Sequence, residues 1–228
     1  MPHPFELTFE QELPATPEQV WDAIATGPGI DSWFMGRNDV EPREGGTARM
    51  TTGGQAEDAV VTAYEPGHRF ASRSTPGPDG RFMAFEYLVE GRGQGSTVLR
   101  VVHSGMLGDD WQDEYDALRR GWPFHLDTLR EYLTHFAGRT GVPVFAAAPA
   151  PSLSADGLRS TLGRAVATLD GDVVADEPDR LRVRSADALL AFFVAPGLAF
   201  LFGHLFTEAS PDDADADWQR WLSAAVNP

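Results

Sequence analysis

Residues 97–106, TVLRVVHSGM, and residues 113–136, DEYDALRRGWPFHLDTLREYLTHF, decide the fold. In the first stretch Thr97, Leu99, Val101 and His103 share one face and Val98, Arg100 and Val102 the other, the period-two pattern of a strand. Periodicity alone leaves open which face meets the interior. In the second stretch Tyr115, Leu118, Trp122, Leu126, Leu129 and Leu133 recur at helical spacing and predict one long amphipathic helix. Pro123 lacks a backbone donor and crowds the preceding turn, so the helix is expected to bend near residues 119–122 and to turn Trp122 toward the sheet. The alternative is a helix that starts near Trp122, with Pro123 in its first turn. A curved sheet gripping such a helix leaves apolar space between the two, which predicts a container for a small hydrophobic molecule.

Upstream, residues 5–13 (FELTFEQEL) alternate apolar with acidic or polar residues and predict a half-buried strand. Residues 14–29 (PATPEQVWDAIATGPG) carry Thr16 as a helix cap, Pro17 at the first position and Gln19 to complete a capping box. A second short helix or turn is expected at residues 30–35, with Trp33 and Phe34. From residue 38 to 102 turn residues recur every eight to twelve positions, the spacing of an antiparallel meander. Strands are expected near 47–52, 57–65, 69–75, 81–91 and 96–103, with Phe85, Tyr87 and Val89 facing away from Glu86 and Glu90.

Four strings carry a resemblance: LPATPEQVWDAIATGPGIDSWF, YEPGHRF, VVHSGM and RRGWPFHLDTLREYL. In this order they resemble the family related to the activator of the 90-kDa heat-shock protein's ATPase, in the START-like (SRPBCC) superfamily, over about residues 5–137. The resemblance implies a helix-grip fold with an internal hydrophobic cavity and a link to the stress response. It also implies a superfamily spanning lipid and polyketide carriers, aromatase/cyclases, hydrolases and chaperone regulators.

The expected class is therefore α+β: a helix-grip domain at residues 1–138, a Pro/Ala-rich linker at 139–152, and a small α+β unit at 153–228. That last unit, strands followed by a C-terminal helix, resembles a degenerate half-grip and suits a lid or a route to a homodimer.

Composition narrows the function. The net charge is −16 and all 18 basic residues are arginine, which argues against nucleic acid and anionic membrane surfaces as partners. With no cysteine, disulfides, thiol nucleophiles and cysteine-ligated metals are excluded. Residues 1–13 lack the pattern of a secretory signal, and the longest apolar stretch, 188–201, is short and broken by Pro196 and Gly197. A cytoplasmic protein with no membrane insertion is expected.

The candidate ligand-binding residues are Trp33, Phe34, Phe85, Tyr87, His103, Trp111 and Trp122, because such sites are mostly apolar with a few placed polar groups. His103 and Tyr87 are the candidate catalytic groups for a cyclase- or hydrolase-type reaction in the same cavity. No orienting carboxylate for His103 follows from spacing, and HSGM lacks the Gly-x-Ser-x-Gly elbow around Ser104. Binding is thus favoured over catalysis. No metal or cofactor is expected: His125 and His135 point to different sides of one helix, and the acidic run at 109–116 lacks calcium-loop spacing. Residues 91–95, GRGQG, precede no helix and read as a hairpin turn rather than a phosphate loop. A chaperone partner is disfavoured, because the grip begins within about five residues of the N-terminus, whereas the resemblance implies a further chaperone-binding domain ahead of it.

Overall fold

The alternation at the N-terminus forms β1 (His3–Leu13), whose inward residues Phe5, Leu7 and Leu13 are buried. Its continuation α1 (Pro17–Ala25) is closed by the expected capping box. The Thr16 hydroxyl accepts from the Gln19 amide at 3.3 Å, and the Gln19 side chain accepts from the Thr16 amide at 2.9 Å. The short α2 (Gly27–Ile30) packs so closely on α1 that a Cβ on Gly29 would lie 1.8 Å from the Asp22 carbonyl oxygen. Only glycine fits this approach.

The computed structural model describes residues 2–227, and the chain divides into two units, Met1–Arg139 and Thr140–Pro228. In the first unit β2 (Arg37–Val40), β3 (Thr47–Thr52), β4 (Gln55–Glu65), β5 (Arg69–Ser74), β6 (Phe82–Arg92) and β7 (Ser96–Leu107) follow as an antiparallel meander. The seven-stranded sheet has the order β1-β7-β6-β5-β4-β3-β2. The last strand of the meander thus pairs with the first strand of the chain, Leu7 opposite His103. The face of β7 that meets the interior is Thr97, Leu99, Val101 and His103, all buried. One continuous helix, α3 (Trp111–His135), contains Pro123 and buries Trp122, Phe124, Leu126, Leu129, Tyr132 and Leu133. This is the helix-grip architecture. The four-residue β2 escapes the sequence pattern because RNDV has no apolar alternation.

The second unit holds β8 (Val142–Pro149), α4 (Ala155–Val166), β9 (Asp172–Glu177), β10 (Arg180–Arg184), β11 (Ala188–Ala195), β12 (Leu198–Leu205) and α5 (Pro211–Val226). Its sheet order, β8-β12-β11-β10-β9, repeats the logic of the first: an opening strand, a helix, a meander whose last strand returns to the opening one, and a closing helix. Residues 139–152 are therefore not a linker. Most of that segment is β8, with Val144, Ala146 and Ala148 in the core. Proline is tolerated because β8 is an edge strand. Pro143 and Pro149 stand in phase with Phe145 and Ala147, whose amides point away from β12 and bond to α5, so no ladder bond is lost at either proline.

Candidate functional site

Phe70, Ser72 and Ser74 occupy one phase of β5, and Met83, Phe85 and Tyr87 one phase of the adjacent β6. Phe70 lies opposite Tyr87 and Ser72 opposite Phe85, so these six side chains share one face of the sheet. They form the floor of a cavity of about 140 Å³. Ala48, Met50 and Ala59 continue the floor, and Ile30, Phe34, Asn38 and Val40 complete the wall.

Phe34 is held over the cavity by the loop between α2 and β2. One carboxylate closes that loop, because Asp31 Oδ1 accepts from the Asn38 backbone amide at 2.6 Å and from its side-chain amide at 3.0 Å. Burial pushes the Asp31 carboxyl up to about 6, against the pull of the Asn38 bonds and of the Arg37 charge. At the rim, Arg49 grips Asp58 through two bonds of 2.6 and 2.9 Å.

Behind this wall stands Trp122, 3% exposed. Its ring centroid lies 5.9 Å from Phe34, 6.1 Å from Phe85 and 6.4 Å from Tyr87. The indole N–H donates to Nδ1 of His103 at 3.0 Å, and His103 stacks on Phe85 with centroids 4.2 Å apart. Accepting at Nδ1 fixes the neutral tautomer with its proton on Nε2, a buried nitrogen that finds no acceptor among the described residues. Burial lowers the imidazole to about 4, so it stays neutral at physiological pH. A base needs a free lone pair, and this one is already engaged. His103 therefore positions Trp122 and Phe85. The Tyr87 phenol is pushed well above its ordinary range by burial and stays protonated.

The structure thus brings Phe34, Phe85 and Tyr87 together at the cavity, with His103 and Trp122 directly behind them. Trp33 lies elsewhere: it is 1% exposed and its indole N–H donates to the Ala23 carbonyl at 2.9 Å, joining the loop to α1. Trp111 stacks on His3 at 4.4 Å and fastens the start of α3 to β1. Arg81 reinforces that end of the helix with two bonds to Glu114 of 2.8 and 2.7 Å. Sequence reading missed Phe70, Ser72, Met83 and Asn38, although the alternation in RFASRS carries the first two. Among the described residues no group of three or more His, Asp or Glu side chains is placed to hold a metal ion, and no helix is long and apolar enough to cross a membrane.

No curated protein matches the chain. Among solved structures, a protein from Mesorhizobium loti, MLL2253, superposes with a TM-score of 0.51 at 23% identity, over 58% of this chain and 98% of its own. Two others extend over both units. The di-domain ARO/CYC BexL from the BE-7585A biosynthetic pathway covers 98% of this chain and 96% of its own, with a TM-score of 0.51 and 13% identity. DynU16, from the dynemicin biosynthetic locus, covers 97% and 96%, with a TM-score of 0.50 and 19% identity. At these identities the likeness is one of fold. The family described as "Activator of Hsp90 ATPase homolog 1-like protein" matches residues 14–134, from the approach to α1 to the last turn of α3. With more than half of its length matched, and with the grip fully formed in that region, the chain belongs to the Activator of Hsp90 ATPase homolog 1-like family.

Proposed function

We propose that the first unit binds a small hydrophobic molecule in the cavity beneath Phe34. The observation that carries this reading is the cavity itself, an apolar space of about 140 Å³ floored by Phe70, Met83, Phe85 and Tyr87. An apolar pocket with a few placed polar groups is the usual form of a small-molecule site. The lining offers no uncommitted positive charge, since Arg49 is paired with Asp58, and this supports an uncharged occupant over an anionic one. BexL, by its title an ARO/CYC of the BE-7585A biosynthetic pathway, and DynU16, by its title a putative protein of the dynemicin biosynthetic locus, share the two-unit fold.

Titration with apolar aromatic compounds is expected to quench tryptophan emission, since Trp122 touches the ring that walls the cavity. The same compounds should raise the melting temperature, because a ligand of the native state adds about 2.7 kcal/mol at a hundred times its Kd. A broad panel producing neither effect sinks the reading. Stimulation of a 90-kDa chaperone's ATPase by the same preparation would instead mark an interaction module.

A further inference from the structure

The cavity wall contains two hydroxyls that the fold leaves unused. Ser72 and Tyr87 both line it, both are buried at 8% and 7% exposure, and neither hydroxyl is hydrogen-bonded to a described residue. The neighbouring Ser74 differs, because its oxygen accepts from the Met83 amide at 3.0 Å. Neither oxygen is among the fully buried side-chain atoms that lack a partner, so both keep access to the pocket, where water or a bound molecule can satisfy them. Two accessible, uncommitted hydroxyls on one face of an apolar space are a recognition feature. Phe70 faces Tyr87 and Ser72 faces Phe85, so Ser72 and Tyr87 are diagonal neighbours on adjacent strands, about 7 Å apart at the backbone.

Size and charge limit what can reach them. An apolar cavity of about 150 Å³ holds a benzene ring, so a space of about 140 Å³ takes one ring, or two fused rings whose far edge reaches the opening. A four-ring skeleton does not fit. An anion would lose its hydration without a counter-charge: Arg49 is the one basic residue among the described lining residues, and it is already spent on Asp58. Glu57 at the rim and a net charge of −16 add repulsion.

We infer that the ligand is an uncharged one- or two-ring aromatic carrying an oxygen acceptor, a phenol or aryl ketone, held by hydrogen bonds to Tyr87 and Ser72. This rests on the binding reading above and adds to it the ligand's chemical class and the two residues that select it. The ring lies against Phe34, Phe70 and Phe85. The Tyr87 O–H donates to the ligand oxygen, and Ser72 either donates beside it or accepts the ligand's own hydroxyl proton.

The test compares 1-naphthol and 4-hydroxyacetophenone with naphthalene, 1-naphthoate, a naphthylmethylammonium and a tetracyclic aromatic ketone, using the full chain and reading tryptophan quenching and thermal shift. The two oxygenated neutral probes are expected to bind about tenfold more tightly than naphthalene, the yield of one well-made hydrogen bond. Tyr87→Phe is expected to remove most of that advantage and Ser72→Ala part of it, the advantage being read as the ratio of 1-naphthol to naphthalene affinity within each variant. Measurable naphthalene binding by a variant shows that it keeps its cavity.

Naphthalene and 1-naphthol binding equally well, or the advantage surviving in both variants, overturns the hydroxyl inference and leaves the cavity reading standing. Tighter binding of the naphthoate, the ammonium or the tetracycle overturns the stated ligand class. If no probe binds at all, the cavity reading fails and this inference with it.

Discussion

The two units of this chain solve one topological problem in opposite ways. Each opens with a strand, returns the last strand of a meander to it and closes with a helix. In the first unit the closing helix meets the sheet through rings: Trp122 touches Phe9, Phe34, Phe85 and Tyr87, and the space beyond them toward β3 and β4 stays open. In the second unit the equivalent space is filled. Alanines at 146, 148 and 199 leave room for Leu158, Leu162, Leu222 and Phe192 to interlock, all between 0 and 1% exposed. Around Trp122 the rings pack closely but stop short of β3 and β4, whereas in the second unit small residues facing branched ones fill the space between helix and sheet. A container and a plug thus follow from side-chain size on a shared scaffold. The difference in strand number points the same way, since β2, β3 and β4 supply the outer half of the first unit's cavity and have only β9 as a counterpart in the second.

The largest test of this contrast is Trp122→Ala. Removing a buried tryptophan costs about 3–5 kcal/mol, and here it also takes away the partner of His103 Nδ1. Urea unfolding followed domain by domain is expected to show the first unit losing that amount and the second unchanged. Trp122→Phe keeps a ring but strands the imidazole acceptor, and should cost about 1–3 kcal/mol. A loss below 1 kcal/mol for the alanine variant would show that the rings around Trp122 are not the frame of the cavity.

Titration gives the next test, with an effect of about 2–3 kcal/mol for each of two groups in the first unit. His103 has a folded value of about 4, below its ordinary 6.5. Between those values the unfolded chain holds more protons, so this contribution is complete above pH 6.5 and is lost as pH falls toward 4. Asp31 has a folded value of about 6, above its ordinary 3.8. Its contribution has the opposite sign: it is complete below pH 3.8 and is lost as pH rises through 6. The two slopes oppose each other, and the intact protein is expected to be nearly flat from pH 4 to 6. Asp31→Asn should unmask a fall in stability on acidification, and His103→Gln a rise. Parallel pH profiles for the two variants would contradict the assignment of both groups.

How far the sequence foretold this depends on where the pattern was clean. β7 and α3 alternate and repeat without interruption, so the strand, the long helix and the buried Trp122 were legible, and the capping box around Thr16 was readable residue by residue. β8 was not, because proline and alanine conceal a period-two core of Val144, Ala146 and Ala148 behind a linker-like composition. The expected site shows the same split. Phe34, Phe85 and Tyr87 reach the cavity, while Trp33 and Trp111 were chosen for residue type alone and serve as fasteners. Ser72 was missed because a serine flanked by Ala71 and Arg73 carries no hydrophobic signal, although its place beside Phe70 on the inward phase of β5 is what brings it to the cavity.

The smallest test concerns how the plug is secured. Along the outer edge of β8, the Phe145 amide donates to Asp215 at 3.0 Å and the Ala147 amide to the Gln219 side chain at 3.1 Å, while the Gln219 amide returns a bond of 2.9 Å to the Ala147 carbonyl. The side chains of α5 thus do for this edge what a neighbouring strand would do, satisfying its amides and blocking further pairing. Nothing of this kind is needed where a helix merely rests on a ring-lined face. Gln219→Ala leaves one donor and one acceptor of an edge strand without partners, which is expected to cost the second unit about 1–2 kcal/mol. Hydrogen exchange at the Ala147 amide should accelerate at the same time, while probe binding in the first unit stays as it was. Water can replace both lost bonds if α5 lifts slightly from the edge. A protected Ala147 amide with unchanged stability would therefore show that the interlocked alanine core, and not these hydrogen bonds, holds α5 in place.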